Sequence, residues 1–187
     1  QAPERMRRLC DAVGCAVLVC DAGSFPLARA VSGAKLPVVC ADDTAGAAEN
    51  RPPPKRVQGG KRDAPLYLMF TSGSTGQPKA VAGTERGAVN RCDWQATAFP
   101  WAPTDVAIAR TSLSFVDHVA EIWAPLIAGV PIVVLAHAAG RSPWREPSVL
   151  LRTVRDFGVS RLVVVPSLLR EMLWLGGLRE SAPSLRY

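Results

Sequence analysis

Residues 66–82, LYLMFTSGSTGQPKAVA, constrain this chain more than any other stretch. Five apolar residues, Leu66 to Phe70, read as a strand. They run into a turn of small and hydroxylated residues, Thr71, Ser72, Gly73, Ser74, Thr75 and Gly76. Pro78 stiffens the exit, Lys79 adds one cation, and a second short apolar run follows. The two glycines let the backbone take positive φ and come close to a ligand. Free N–H groups and hydroxyls in such a turn form a concave nest suited to an anion. A bare Gly-x-x-Gly would mark an ordinary surface turn. The longer run after an apolar strand is more specific and predicts a phosphate cradle. It lacks the Gly-Lys-Ser/Thr ending of a Walker loop.

Around this stretch, short apolar runs alternate with helical patterns. Residues 3–13 carry Met6, Leu9, Cys10 and Val13 at helical spacing, and Gly14 stops them. Residues 16–20 and 37–40 read as strands, the first apolar enough to be buried on both faces. Residues 24–31 between them read as a helical turn. Thr84 is a good N-cap for a helix whose inward stripe would be Val89, Cys92, Ala96 and Phe99. Strands are expected at 105–111, 131–136 and 162–165. Helices are expected at 119–128, closed by Gly129 despite Pro125, and at 147–157, with Leu150, Leu151 and Val154 inward. A last helix, capped by Ser167, would bury Leu168, Leu169, Met172 and Leu173 and stop at Gly176 and Gly177. Alternation of this kind predicts an α/β fold with a mostly parallel sheet. Residues 42–64, rich in Pro, Asp, Gly and basic side chains, read as an exposed loop.

Composition narrows the function classes. The 187 residues are 48% hydrophobic and 20% charged, ordinary for a globular chain. The net charge of +6 favours anionic partners. Nucleic acid is one such partner. However, the basic residues are scattered or gathered in one loop without interleaved aromatics, so a nucleotide-phosphate site accounts for the charge more simply. Cys10, Cys15, Cys20, Cys40 and Cys92 form no Cys-x-x-Cys pair, and there are two histidines. The spacings predict free thiols rather than a zinc site or disulfides. The longest apolar run, 122–136, is broken by Pro125, Gly129 and Pro131 and falls short of the about 20 residues a membrane helix needs. No signal peptide is visible. The expectation is a soluble cytoplasmic protein with no membrane or nucleic-acid partner.

In open α/β sheets ligands sit beyond the carboxyl ends of the strands. The loop at 71–79 and the turn at 112–118 both follow strands, so both are expected at one crevice. Ser112, Ser114, Phe115, Asp117, His118 and Glu121 could project into it.

The run Thr71-Ser72-Gly73-Ser74-Thr75-Gly76-Gln77-Pro78-Lys79 closely resembles the phosphate-loop motif of the adenylate-forming superfamily. That superfamily includes acyl-CoA synthetases and nonribosomal peptide synthetase adenylation domains. The run Ser114-Phe115-Val116-Asp117-His118-Val119-Ala120-Glu121-Ile122-Trp123 resembles its next core motif, Phe-Asp-x-Ser-Val-x-Glu-Ile. Phe115 matches the aromatic and Glu121 the glutamate. Amino-acid-activating members have an aspartate directly after the aromatic, paired with the substrate's ammonium. Here Val116 stands there and Asp117 follows, which leaves amino acid and simple acid both open. The Asp-His variant is most similar to the stand-alone β-alanine-activating branch. Ala80 stands where many members have glycine.

The resemblance covers almost all of residues 1–187 and implies part of the large N-terminal domain of an adenylate-forming enzyme. It implies activation of a carboxylic or amino acid with ATP and Mg2+, and transfer of the acyl group to CoA or to phosphopantetheine on a carrier-protein domain. The phosphate cradle would be Thr71, Ser72, Gly73, Ser74, Thr75, Gly76 and Lys79, with Lys79 stabilising phosphate charge. The acyl pocket would be walled by Phe115, Val116, Asp117, His118 and Glu121. None of these is expected to ligate metal. The family's adenine-binding segment, ribose-binding aspartate and C-terminal domain with the main catalytic lysine have no counterpart here. The expectation is therefore that a longer parent carries the activity and that these residues alone do not. The alternative is a non-catalytic nucleotide-binding or interaction module derived from the same fold.

Overall fold

In the computed structural model, residues 3–44, 61–72, 78–135, 146–175 and 178–187 are described. They fall into two compact units, Gln1–Gly60 with Thr71–Ala80, and Lys61–Phe70 with Val81–Tyr187.

In the first unit, helix α1 (Pro3–Ala12) leads to strand β1 (Leu18–Cys20), helix α2 (Phe25–Ser32), strand β2 (Val38–Cys40) and a single turn, α3 (Ala41–Thr44). β1 and β2 pair in parallel, with Leu18 opposite Val38 and Cys20 opposite Cys40. α2 is the crossover that a parallel pair requires. Pro26 in its first turn needs no hydrogen bond there, and Gly33 ends it at φ 53°. Arg7 of α1 donates from Nε to the Val31 carbonyl at 3.0 Å and from Nη2 to that of Ala30, satisfying the last turn of α2. Burial of β1 on both faces is not observed. Val19 and Val39 point outward and are exposed, because this two-stranded sheet packs against α2 and leaves alternate residues open. α3 occupies the start of the segment expected to be loop. Residues 45–60 of that segment lie outside the described residues, and 61–64 form a turn ahead of the next strand.

The second unit holds most of strands β3 (Pro65–Thr71) and β4 (Lys79–Thr84), which pair with each other. Helix α4 (Glu85–Ala98) follows at once, and the Thr84 hydroxyl accepts the Gly87 N–H at 3.2 Å as its N-cap. Of the expected stripe Val89, Cys92, Ala96 and Phe99, Cys92 is buried, Phe99 half-buried and Val89 and Ala96 exposed, while Ala88 and Gln95 are buried beside Cys92. α4 packs against the helix that follows it.

Strand β5 (Ala107–Ala109), helix α5 (Asp117–Ala128) and strand β6 (Ile132–Val134) form a parallel β-α-β unit in which Ala107 lies opposite Ile132. Gly129, at φ 69°, closes α5 where a side chain would be strained. Pro125 is tolerated within that last turn, and its carbonyl accepts the Val130 N–H. β6 is less buried than its apolar sequence implies, Val134 being largely exposed.

Helices α6 (Pro147–Asp156), α7 (Pro166–Trp174) and α8 (Leu178–Ser181) complete the chain. Leu150, Leu151 and Val154 of α6 meet Ile108, Val159, Leu168 and Met172 in the core. α7 starts at Pro166 rather than from a Ser167 cap, and it buries Leu168 and Met172 while Leu169 and Leu173 are partly or largely exposed. The helix ends at Trp174, and the expected stop at Gly176 and Gly177 lies outside the described residues. The strand expected at 162–165 is not formed as a regular ladder. Ser160 N–H does bond Val106, and Leu162 N–H bonds Tyr187. At Val163, however, the carbonyl accepts the Arg110 guanidinium in place of a neighbouring strand.

The five cysteines are free thiols, with Cys40 and Cys92 buried and the others half-buried. Among the described residues no helix is long and apolar enough to cross a membrane.

Candidate functional site

β3 delivers Thr71 and Ser72 to its carboxyl end, and β4 begins at Lys79. Thr71 Oγ1 donates a long hydrogen bond of 3.5 Å to the Lys79 carbonyl, closing the base of the intervening loop. Thr71, Ser72 and Lys79 are solvent-exposed. The Ser72 hydroxyl and the Lys79 ammonium make a donor set suited to a phosphate, which the Thr71 hydroxyl can join by giving up its long bond to the Lys79 carbonyl. Gly73, Ser74, Thr75 and Gly76 lie outside the described residues. Deeper in the same strands, the Tyr67 ring covers Gly83 so closely that a Cβ there would lie 2.0 Å from Tyr67 Cζ. Only glycine permits that packing.

In the second unit, β5 ends at Ala109 and the chain turns through 110–116 into α5. Two bonds shape the turn: Phe115 N–H to the Ser112 carbonyl at 2.9 Å, and Ser114 N–H to Ser112 Oγ at 3.3 Å. His118 Nδ1 lies 2.7 Å from the Phe115 carbonyl. A carbonyl can only accept, so Nδ1 carries the proton there.

This turn forms one wall of an open cleft of about 400 Å3, lined by Arg110, Thr111, Ser112, Phe115 and Asp117. The opposite wall is Val163, Val164 and Val165 with Ser167, Leu168 and Glu171 of α7. The volume suits a small molecule, with apolar walls and a few polar groups to orient it. Phe115 is 60% exposed, free to meet a ligand rather than used in the core.

The predicted pocket residues therefore separate. Phe115 and Asp117 line the cleft together, with Ser112. Val116 is exposed beside it and contributes nothing to its lining. His118 holds the Phe115 carbonyl, and Glu121 stands behind the turn, 7% exposed. The displaced aspartate thus faces the cleft even though Val116 occupies the motif position. Sequence reasoning missed Arg110, Thr111 and the wall on α7. The Ser167–Glu171 spacing of i, i+4 places both on one helical face and was the available signal. Nothing in the sequence marks Arg110, which is buried with its guanidinium on the Val163 carbonyl at 2.9 and 2.8 Å. Among the described residues, no group of three or more His, Cys, Asp or Glu side chains could hold a metal ion.

The fold is that of the N-terminal domain of adenylate-forming enzymes. A nonribosomal peptide synthetase, FmoA3, solved with α-methyl-L-serine-AMP, superposes on the whole chain with a TM-score of 0.77 at 27% identity, and the chain covers 20% of it. The N-terminal domain of FACL13 from Mycobacterium tuberculosis shares the fold, with a TM-score of 0.77 over the whole chain and 47% of its own, at 20% identity. The family model for AMP-binding enzymes matches residues 1–187, and the chain belongs to that family. Among curated relatives, the β-alanyl-bioamine nonribosomal peptide synthetase ebony of Drosophila melanogaster is 39% identical over 115 residues, 61% of this chain and 13% of ebony. Vanchrobactin synthetase VabF of Vibrio anguillarum is 36% identical over 103 residues, 55% of this chain and 4% of VabF. The chain thus spans a small fraction of the length of these relatives.

Proposed function

We propose that the protein containing this chain activates an amino acid as its acyl adenylate. The observation that carries this reading is that each of the two motif segments follows the carboxyl end of a strand, the loop after β3 and the cleft turn after β5. A carboxylate resists attack because its carbonyl carbon is electron-rich. Its oxygen instead attacks the α-phosphorus of ATP, the bond to the β-phosphate breaks, and pyrophosphate leaves. A thiol then attacks the acyl carbon, loses its proton, and AMP departs with the bonding electrons. That thiol belongs to CoA or to a phosphopantetheinyl carrier.

In this reading Lys79, the hydroxyls of Thr71, Ser72, Ser74 and Thr75, and the N–H groups of Gly73 and Gly76 hold the β- and γ-phosphates. They stabilise the charge that gathers on departing pyrophosphate. Mg2+ would enter on the nucleotide's own oxygens and neutralise part of the same charge. The acid would lie in the cleft against Phe115. An amino acid is favoured over a plain acid because Asp117, on the cleft wall, can pair with an ammonium. The name of the relative ebony, a β-alanyl-bioamine nonribosomal peptide synthetase, supports that choice. A demand for ATP and a thiol acceptor fits the cytoplasm.

The test is acid-dependent exchange of pyrophosphate into ATP by the full-length protein, screened over amino acids that include β-alanine. Exchange is expected with the parent. Lys79→Ala combined with Ser74→Ala should lower kcat/KM for ATP by about 100-fold or more, as loss of charge-stabilising donors does. Unchanged turnover and ATP affinity in that variant would remove the cradle. A parent inert toward every acid yet binding ATP would instead be a non-catalytic nucleotide-binding module.

A further inference from the structure

Glu121 is a buried carboxyl side chain, almost withdrawn from solvent, that does not line the cleft, so its place in the fold needs another reason. It projects from α5 to the place where the β5 ladder stops. Glu121 Oε2 accepts the backbone N–H of Arg110 at 3.1 Å and of Thr111 at 2.8 Å, while Oε1 accepts the Thr111 hydroxyl at 2.7 Å. Those N–H groups lie just past the last residue of β5, where the strand partner no longer serves them. A helix residue and the strand end are thus fastened at the base of the turn that carries Ser112, Phe115 and Asp117. From the same point, the Arg110 guanidinium donates two bonds to the Val163 carbonyl on the opposite wall. One carboxylate therefore fixes the first wall, and the residue it fixes fastens the second.

We infer that Glu121 is a positioning residue that sets the width of the cleft, and so the length of acid it accepts, without touching the acid. The inference rests on the adenylation reading above. Removing the carboxylate frees Arg110 and Thr111 and lets the walls part, which admits longer acids. Gln in its place keeps the brace: its amide oxygen accepts the two N–H groups, and its NH2 donates to the Thr111 hydroxyl, which turns to accept.

The experiment compares kcat/KM in pyrophosphate exchange for the preferred acid and for its homologue one methylene longer, in the full-length protein. Wild type should discriminate about tenfold to two-hundredfold, the worth of one methylene in a fitted pocket. Glu121→Ala should collapse that ratio towards one by raising KM for the preferred acid, with apparent KM for ATP unchanged. Glu121→Gln should restore the ratio. A merely structural role predicts loss of active enzyme, with kcat falling alike for both acids and the ratio intact, and that outcome overturns the inference. Should Glu121→Ala fail to fold, Thr111→Val, which keeps the shape of this wall residue and deletes its bond to Oε1, must lower the ratio in part; an unaltered ratio there is equally fatal. Wild type that exchanges with no acid would fell the adenylation reading itself, a result distinct from a braced cleft that proves indifferent to Glu121.

Discussion

Asp105 Oδ1 accepts the Ser160 hydroxyl at 2.6 Å, joining two buried residues 55 positions apart. The same carboxylate takes the Ala102 N–H at 2.8 Å, pairs with Arg186, and lies 3.5 Å from the Arg161 guanidinium. Arg161 in turn lies over the Trp101 ring at 3.5 Å and donates to the carbonyls of Phe99 and Pro100. Asp105 thus ties the entry of β5 to the segment after α6 and to the residues before Tyr187. Burial pushes its carboxyl up, but the hydrogen bonds from Ser160, Ala102 and Arg186 outweigh that and hold it below the usual carboxylate range. With the folded value depressed, the stabilisation is present above the unfolded value of about 3.9 and is lost as pH falls through the folded value beneath it. Thermal melts should therefore show an acid limb below about pH 4. Asp105→Ala should cost about 3–5 kcal/mol at pH 7, as breaking a buried pair does, and should flatten that limb. An acid limb of unchanged depth in the variant would show that other carboxylates govern it.

Tyr67 and Gly83 make the second prediction. The aromatic ring lies where a Cβ on residue 83 would stand. Gly83→Ala must drive the ring away and open the packing between β3 and β4, at about 1–3 kcal/mol. Tyr67→Ala in the same background removes the clash, so the double variant should lose less than the sum of the two single changes. Strict additivity in denaturant titrations would mean that the ring is free to move aside.

Ala34 offers a change of the opposite sign. It follows Gly33 with φ 64°, a left-handed conformation that brings its Cβ against its own backbone. Ala34→Gly relieves a strain of about 1–2 kcal/mol, partly offset by the greater freedom of glycine in the unfolded chain. The net expectation is a rise in unfolding free energy of about 0.5 kcal/mol. A fall would show that the unfolded-state term dominates.

Much of this architecture was legible because its signals are local. The β-α-β alternation follows from apolar runs separated by helical stripes, and Thr84 and Gly129 announce a helix start and end by their own chemistry. Leu150, Leu151 and Val154 were readable as an inward face because one turn of helix sets their spacing. The misreadings share a cause, in that each depended on what lies opposite. Val19 and Val134 have strand sequences, but periodicity does not say whether a second layer covers them. Val89 is exposed and Ala88 buried on a helix that packs against the one following it. The site divides in the same way. Phe115 and Asp117 could be found from one motif, whereas Arg110 and Glu171 become cleft residues only when segments some 50 to 60 positions apart meet. Glu121 was visible as a motif residue, but its partners were not, since two of its three donors are backbone N–H groups.

If the cleft receives the acid, as proposed, Asp117 is the residue that would decide its kind. It stands in the first turn of α5, exposed, and lines the cleft with Phe115, while its neighbour Val116 does not. An ammonium in the cleft would meet this carboxylate in a charge-assisted bond, whereas a plain acid of equal length has nothing to offer it. Asp117→Asn keeps the shape and removes the charge. In the full-length protein it should raise KM for an amino acid about tenfold or more, the worth of about 1.5–3 kcal/mol for a charged hydrogen bond. KM for the corresponding acid without the amine should stay level or fall. Glu171, on the opposite wall, is the control for charge in general: Glu171→Gln should affect the amino acid less if Asp117 is the direct partner. Equal losses for both acids in Asp117→Asn would mean that the residue shapes the turn and recognises no ammonium.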